Sequence, residues 1–187
     1  MIVAVLDACV LYPPSLRDLL MRLAADGIYA PRWTRIIQEE WVRNVLANNQ
    51  AISQAQLERT CSLMERVDPD CIVTGYEAHI PALLLPDLND RHVLAAAIVA
   101  CAPIVVTFNL SDFPAATLQP YGIRAVHPDH FLSALFDEDT DAFLQAAQRH
   151  RASLRNPPKT AQDYIETLIA NRLSELAHRI ETYRDVI

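Results

Sequence analysis

Ile2-Val3-Ala4-Val5-Leu6-Asp7-Ala8-Cys9 is the stretch on which the fold turns. An unbroken apolar run, β-branched at Ile2, Val3 and Val5, lacks the alternation of a half-exposed strand. It fits a central strand of a parallel sheet, covered on both faces. The run ends in Asp7, and a carboxylate placed directly after a buried strand is costly unless it is hydrogen-bonded, paired or metal-bound. In open parallel sheets ligands bind beyond the carboxyl ends of the strands, where strand order reverses. Asp7 is therefore the first candidate for chemistry.

Outward from this strand, Ser15 to Ala25 reads as a helix, with Ser15 and Asp18 at capping-box spacing and Gly27 as its stop. Ile28 to Ala30 is expected to be a second strand. Thr34 is an N-cap for a helix to about Asn48, and Ser53 with Gln56 opens another to about Val67. Ile72 to Thr74 reads as a short strand and residues 76–85 as a short helix. Asp87 to Asp90 is a turn, with Asp90 capping a helix through Cys101. Ile104 to Thr107 is a second β-branched run, followed by a helical turn over 114–119, a strand at Ile123 to Val126 and a helix from Pro128 to Phe136. The expected fold is α/β: a central, mainly parallel sheet flanked by helices, spanning residues 1–136.

Residues 137–187 contain no strand candidate and form a helical C-terminal extension. Asp141 to Leu154 is amphipathic, Asn156-Pro157-Pro158 breaks it, and Thr160 with Asp163 restarts a helix expected to run to the end. This segment serves either as a cap on the main domain or as an arm for dimerisation and partners.

Composition narrows the function. Three glycines among 187 residues exclude glycine-rich phosphate loops, including the dinucleotide-binding fingerprint. The net charge is −7, and neither part of the chain is basic. That argues against an unaided phosphate-binding surface but less against a metal enzyme, whose bound cations reverse the local sign. Cys9, Cys61, Cys71 and Cys101 show no zinc spacing and read as reduced, mostly buried thiols of a cytoplasmic protein. The amino terminus has no basic stretch of a secretory signal. The apolar run Val93 to Phe108, interrupted by Pro103, is too short to span a membrane, so no membrane association is expected.

Four signals converge on the strand ends: Asp7, Asp90 at the start of a helix, Asn109 and Asp112 after the Ile104–Thr107 run, and Glu40 at the edge of an apolar helical stripe, with Glu39 as its competitor. Carboxylates that meet at one point repel one another and stay ionised together only around a cation. All-oxygen donors select Mg²⁺ or Mn²⁺, and such a site suits phosphodiester hydrolysis. The ordinary readings are a cap for Asp90, turn chemistry for Asp87, a solvated helix residue for Glu40 and a loop cap for Asp112. His92 reads as structural, Cys9 as a buried thiol without a base, and Trp33 and Trp41 as core.

Val3-Ala4-Val5-Leu6-Asp7-Ala8-Cys9-Val10-Leu11-Tyr12 resembles the opening strand of PIN domains. Glu39-Glu40-Trp41-Val42-Arg43-Asn44 resembles their glutamate-bearing helix. Leu85-Pro86-Asp87-Leu88-Asn89-Asp90-Arg91-His92-Val93-Leu94-Ala95-Ala96-Ala97 resembles their third-acid helix, and Val106-Thr107-Phe108-Asn109-Leu110-Ser111-Asp112-Phe113-Pro114 their last motif. The order is that of the family, and the whole is similar to VapC-like ribonuclease toxins of bacterial toxin–antitoxin pairs with an added C-terminal helical segment.

The resemblance implies a PIN-like three-layer fold and cleavage of RNA with Mg²⁺ or Mn²⁺. It also implies a homodimer and inhibition by a small antitoxin protein. It makes Asp7, Glu40 and Asp90 metal ligands, with Asn109 in the place often held by a fourth acid and Asp112 substituting for it or holding a water. Arg43 and Arg91 lie beside these acids. The competing expectation is a catalytically silent PIN-like module for assembly or regulation, motivated by Asn109. A dehalogenase-type phosphohydrolase needs an acid where Cys9 stands, and a receiver domain needs a lysine where this chain, whose sole lysine is Lys159, has none.

Overall fold

The computed structural model describes all residues, Met1–Ile187. Four strands form one parallel sheet: β1 (Ile2–Leu6), β2 (Tyr29–Arg32), β3 (Ile104–Val106) and β4 (Arg124–Val126), in the order β2-β1-β3-β4. Ala4 pairs with both Pro31 and Ile104, and Ile104 pairs with Arg124. Successive strand side chains point to opposite faces. Ala4, Val5 and Leu6 are all fully buried, so helices cover both faces, giving three layers.

The chain leaves β1 to one side for β2 and returns on the other side for β3. The order therefore reverses between β1 and β3, and the crevice predicted from parallel-sheet geometry opens at their carboxyl ends. α5 (Arg91–Val99) packs on both of these strands.

The remaining helices are α1 (Ala8–Leu11), α2 (Pro14–Ala25), α3 (Arg35–Asn48), α4 (Gln54–Met64), α6 (Ala115–Leu118), α7 (Pro128–Glu138), α8 (Thr140–Ser153), α9 (Ala161–Ala170) and α10 (Ser174–Glu181). Thr34 caps α3 through the Ile37 amide, and Ser53 with Gln56 forms a capping box on α4. Trp33 and Trp41 are fully buried. The Trp33 indole donates to Gln38, and the Arg17 guanidinium lies 4.3 Å from the Trp41 ring centroid. Trp33 is thus closed to base stacking.

Several expectations change. Ser15 does not cap α2: Pro13 holds the cap position, Pro14 starts the helix where a missing N–H costs nothing, and Asp18 pairs with Arg22. Ile72 to Thr74 is no strand; Ile72 makes one isolated bridge to Trp33. Residues 76–85 contain a 3₁₀ segment, Glu77–Ala82, with Pro81 inside it. Among the thiols, Cys61 and Cys71 are buried, Cys9 is half-buried and Cys101 is exposed.

The extension departs most. Its final helix is two helices, since the chain turns at Asn171–Leu173, where Arg172 adopts φ 64°. The Asn171 side-chain amide donates to the Thr167 carbonyl and the Leu173 amide to the Leu168 carbonyl. This closes α9 in the manner of a left-handed cap without glycine. The extension then folds back. α10 packs on α7, and the buried Asp129 carboxylate accepts from the first amides of α10, Glu175 and Leu176, both at 2.9 Å. At the other end of the extension, His150 of α8 contacts the Tyr164 hydroxyl at 3.0 Å, and Arg149 pairs with Asp26. Burial pushes the His150 imidazole down to about 4, so it is neutral at pH 7.

Candidate active site

Asp7 follows β1 and caps α1. Its Oδ1 accepts from the Ala8 amide, and its Oδ2 accepts from the Thr107 hydroxyl at 2.7 Å and the Cys9 thiol at 3.1 Å. Burial, followed by the charge of Asp7, pushes the Cys9 thiol up to about 12, so it remains a donor. Thr107 is the residue after β3, and its oxygen also accepts from the Asn109 amide at 3.0 Å. The Phe108 amide donates to the Cys9 sulfur, and the Asp7 amide to the Val106 carbonyl. The crevice between β1 and β3 is thus laced by bonds that fix Asp7, a residue only 6% exposed.

Asp90 ends the 3₁₀ turn Leu88–Asp90 that leads into α5. The expected cap is not made. Asp87 takes that role, its carboxylate accepting from the Asn89 amide at 2.8 Å, while the Asp90 carboxylate caps nothing. Asp87-Leu88-Asn89 closes its own turn one step earlier, so the helix start needs no help from Asp90. Burial, then the charges of Asp7, Asp87 and Asp112, raise Asp90 to about 6; His92 opposes them. Asp90 itself forms no ion pair with an Arg or Lys. Asp90 therefore lies in the field of Asp7, Asp87 and Asp112.

Glu40 joins from α3 by a different route. Its Oε1 lies 3.3 Å from Nε2 of His92 in α5, and His92 is buried with its Nδ1 unpartnered. Glu39 is exposed, which leaves Glu40 as the α3 acid turned inward. Asn109 is exposed and its side chain caps nothing. Asp112 is half-buried, with a 3.4 Å contact from the Ser111 hydroxyl. Arg91 is tied to the Leu88 carbonyl, and Arg43 is exposed. No three His, Cys, Asp or Glu side chains stand close enough to form a closed metal-binding group.

Sequence reasoning missed Thr107, which resembled any β-branched strand end, and the engagement of Cys9 with Asp7. It also missed His92 as the partner of Glu40. The i, i+2 spacing of Asp7 and Cys9 was the available signal for the thiol. Asp7, Asp87 and Asp112 surround Asp90 with negative charge, and all of these side chains offer oxygen donors. This donor set fits a hard divalent cation, which would lower the repulsion now raising Asp90.

Comparison with known proteins bears on the second half of the chain. Residues 128–182, from the start of α7 to the end of α10, match the family model of the VapC50 C-terminal domain. A protein of Mycobacterium tuberculosis, "Putative ribonuclease VapC50", is 50% identical over 59 residues, which are 30% of this chain and 35% of that relative. No solved structure matches. No helix is long and apolar enough to cross a membrane. The fold is thus a parallel α/β sheet with acids at its carboxyl edge, its last helices are similar to the VapC50 C-terminal domain, and the matched stretch spans about a third of that relative's length.

Proposed function

We propose that the chain is a metal-dependent endoribonuclease that hydrolyses RNA phosphodiester bonds, with Asp7, Asp90 and Asp112 holding Mg²⁺ or Mn²⁺ and Glu40 and Asn109 flanking them. One observation carries this reading: the Asp90 carboxylate caps nothing and has no cationic partner, yet faces the charges of Asp7 and Asp112. A structural acid would be paired or exposed. The printed name of the Mycobacterium tuberculosis relative, a ribonuclease, supports it. Asp7, Asp90 and Asp112 would hold the cation, which would supply activation of water and charge stabilisation at the phosphate.

The chain's own residues supply placement. Thr107 and Cys9 donate to Asp7 and fix its rotamer, and His92 restrains Glu40. By the family likeness, the protein is the cytoplasmic toxin of a toxin–antitoxin pair, a homodimer restrained by a small antitoxin protein.

Calorimetry with Mn²⁺ and Mg²⁺ and cleavage of single-stranded RNA are the test. Saturable binding, cleavage that depends on the metal and loss of cleavage in EDTA are expected. The separation of the carboxylates favours the second reading, a catalytically silent module; absence of both binding and cleavage would establish that instead. Thr107→Val is a finer probe. It removes the hydroxyl that orients Asp7, and losses of such supporting partners cost about 10- to 100-fold in metal affinity or activity. Thr107→Ser, which keeps the hydroxyl, is expected to retain most of the rate.

A further inference from the structure

We infer that Arg172, Phe108 and His127 form a subsite for single-stranded RNA beside the carboxylates, to which the C-terminal extension contributes the cation. The inference rests on the nuclease reading for the identity of the ligand. Its geometry is independent of that reading.

Phe108 follows Thr107, the residue whose hydroxyl holds Asp7, and its own amide bonds to the Cys9 sulfur. Its ring is half-buried at the carboxyl end of β3. His127 follows β4 directly and meets that ring edge-on, with centroids 5.1 Å apart and planes at 72°. Nδ1 of His127 accepts from the Asp129 amide, which places the ring proton on Nε2 as a donor with no partner in the chain. Burial and the nearby Arg172 charge hold this imidazole below its ordinary value, so it is neutral at pH 7.

Arg172 comes from the turn between α9 and α10, and its guanidinium carbon lies 4.7 Å from the Phe108 centroid. It is exposed and forms no ion pair, although the chain has an excess of acids. Arg22, Arg32, Arg35, Arg149, Arg179 and Arg184 are paired with carboxylates; Arg43 and Arg124 are also free, but Arg172 is the one seated on the Phe108 ring.

Its position is built rather than incidental. Asp129, two residues after His127, binds the first amides of α10 and so fixes the turn that carries Arg172 against the β3–β4 end of the sheet. A guanidinium lying on an aromatic face keeps its edge N–H groups free for a phosphate. The guanidinium plane seated on the Phe108 ring, with His127 edge-on beside it, offers a flat, sequence-tolerant face of the kind on which single-stranded bases stack. Next to a row of acids that repels RNA, a free cation joined to such a surface is the element that would hold the strand.

The test separates binding from cleavage. Fluorescence anisotropy with a labelled single-stranded RNA is measured on the Asp7→Asn chain, alone and carrying Arg172→Gln, Arg172→Lys or Phe108→Leu. Arg172→Gln is expected to weaken binding about tenfold and to lower the salt slope by about 0.7, as for one lost phosphate contact on a single strand. Arg172→Lys is expected to keep the slope, and Phe108→Leu to weaken binding at unchanged slope. In the otherwise native chain Arg172→Gln raises KM with little change in kcat. Unchanged affinity and slope in Arg172→Gln, with circular dichroism and melting temperature intact, would overturn the subsite even if RNA is cleaved. So would failure of the Asp7→Asn chain to bind RNA. A loss of affinity in a chain that never cleaves RNA would uphold the subsite and overturn only the nuclease reading.

Discussion

Asp7→Asn is expected to lower RNA cleavage by about 10³-fold or more while leaving the fold intact. Charge stabilisation by a bound cation is worth several kcal/mol, and each 1.4 kcal/mol is about tenfold in rate. Asn keeps one carbonyl oxygen for the Ala8 amide or the Thr107 hydroxyl but carries no charge for a cation. The bonds across the β1–β3 crevice that do not use the second oxygen remain, among them Phe108 to Cys9 and Asp7 to Val106. Single-turnover cleavage in Mn²⁺, alongside circular dichroism and melting, checks this. Cleavage within tenfold of the parent would remove Asp7 from the site.

Asp90→Asn is expected to abolish cleavage to a similar degree and, unlike most substitutions of a half-buried acid, to stabilise the metal-free protein. In the folded state Asp90 is raised from the usual 3.8 to about 6. Its proton is therefore held more tightly folded than unfolded, and the metal-free protein loses stability as pH rises from about 4 through 6. At pH 7.5 the ionised group costs about 1–2 kcal/mol once its partial exposure to solvent is allowed for. Asn at this position removes that cost and has no capping bond to lose. For a chain of this size the melting temperature in EDTA is expected to rise by roughly 2–6 °C at pH 7.5 and hardly at all at pH 4. Divalent metal is expected to close the gap by stabilising the parent alone. A lower melting temperature for Asp90→Asn in EDTA at pH 7.5 would mean that Asp90 is a structural acid.

Both predictions concern residues whose positions were legible in the sequence, because strand ends and helix starts leave strong marks. The apolar run before Asp7 named a buried strand, and the polar turn before Val93 named a helix start. What the sequence left open is which of two nearby acids caps. Asp87 satisfies the turn through Asn89, and that choice depends on the backbone of the 3₁₀ segment. Contacts between segments were the least legible. Thr107 is ordinary by composition, and its meaning comes from lying across the crevice from a residue 100 positions away. His92 stands two positions after Asp90 and finds its partner, Glu40, on another helix. The break at Asn171–Leu173 has neither glycine nor proline, so nothing in residue type announced it. Docking of α10 on Asp129 compensates for the left-handed Arg172.

The placement of β3 beside β1 has a consequence for how the protein is made. A ribosome that has delivered the first hundred residues has released Asp7, Glu40 and Asp90, but neither the hydroxyl that aligns Asp7 nor Asp112. Pairing between segments so distant forms late, after the loop between them has closed. The extension that brings Arg172 emerges later still. An incomplete chain would therefore carry most of the acids and lack the assembled site, so chemical competence arrives only with the finished fold.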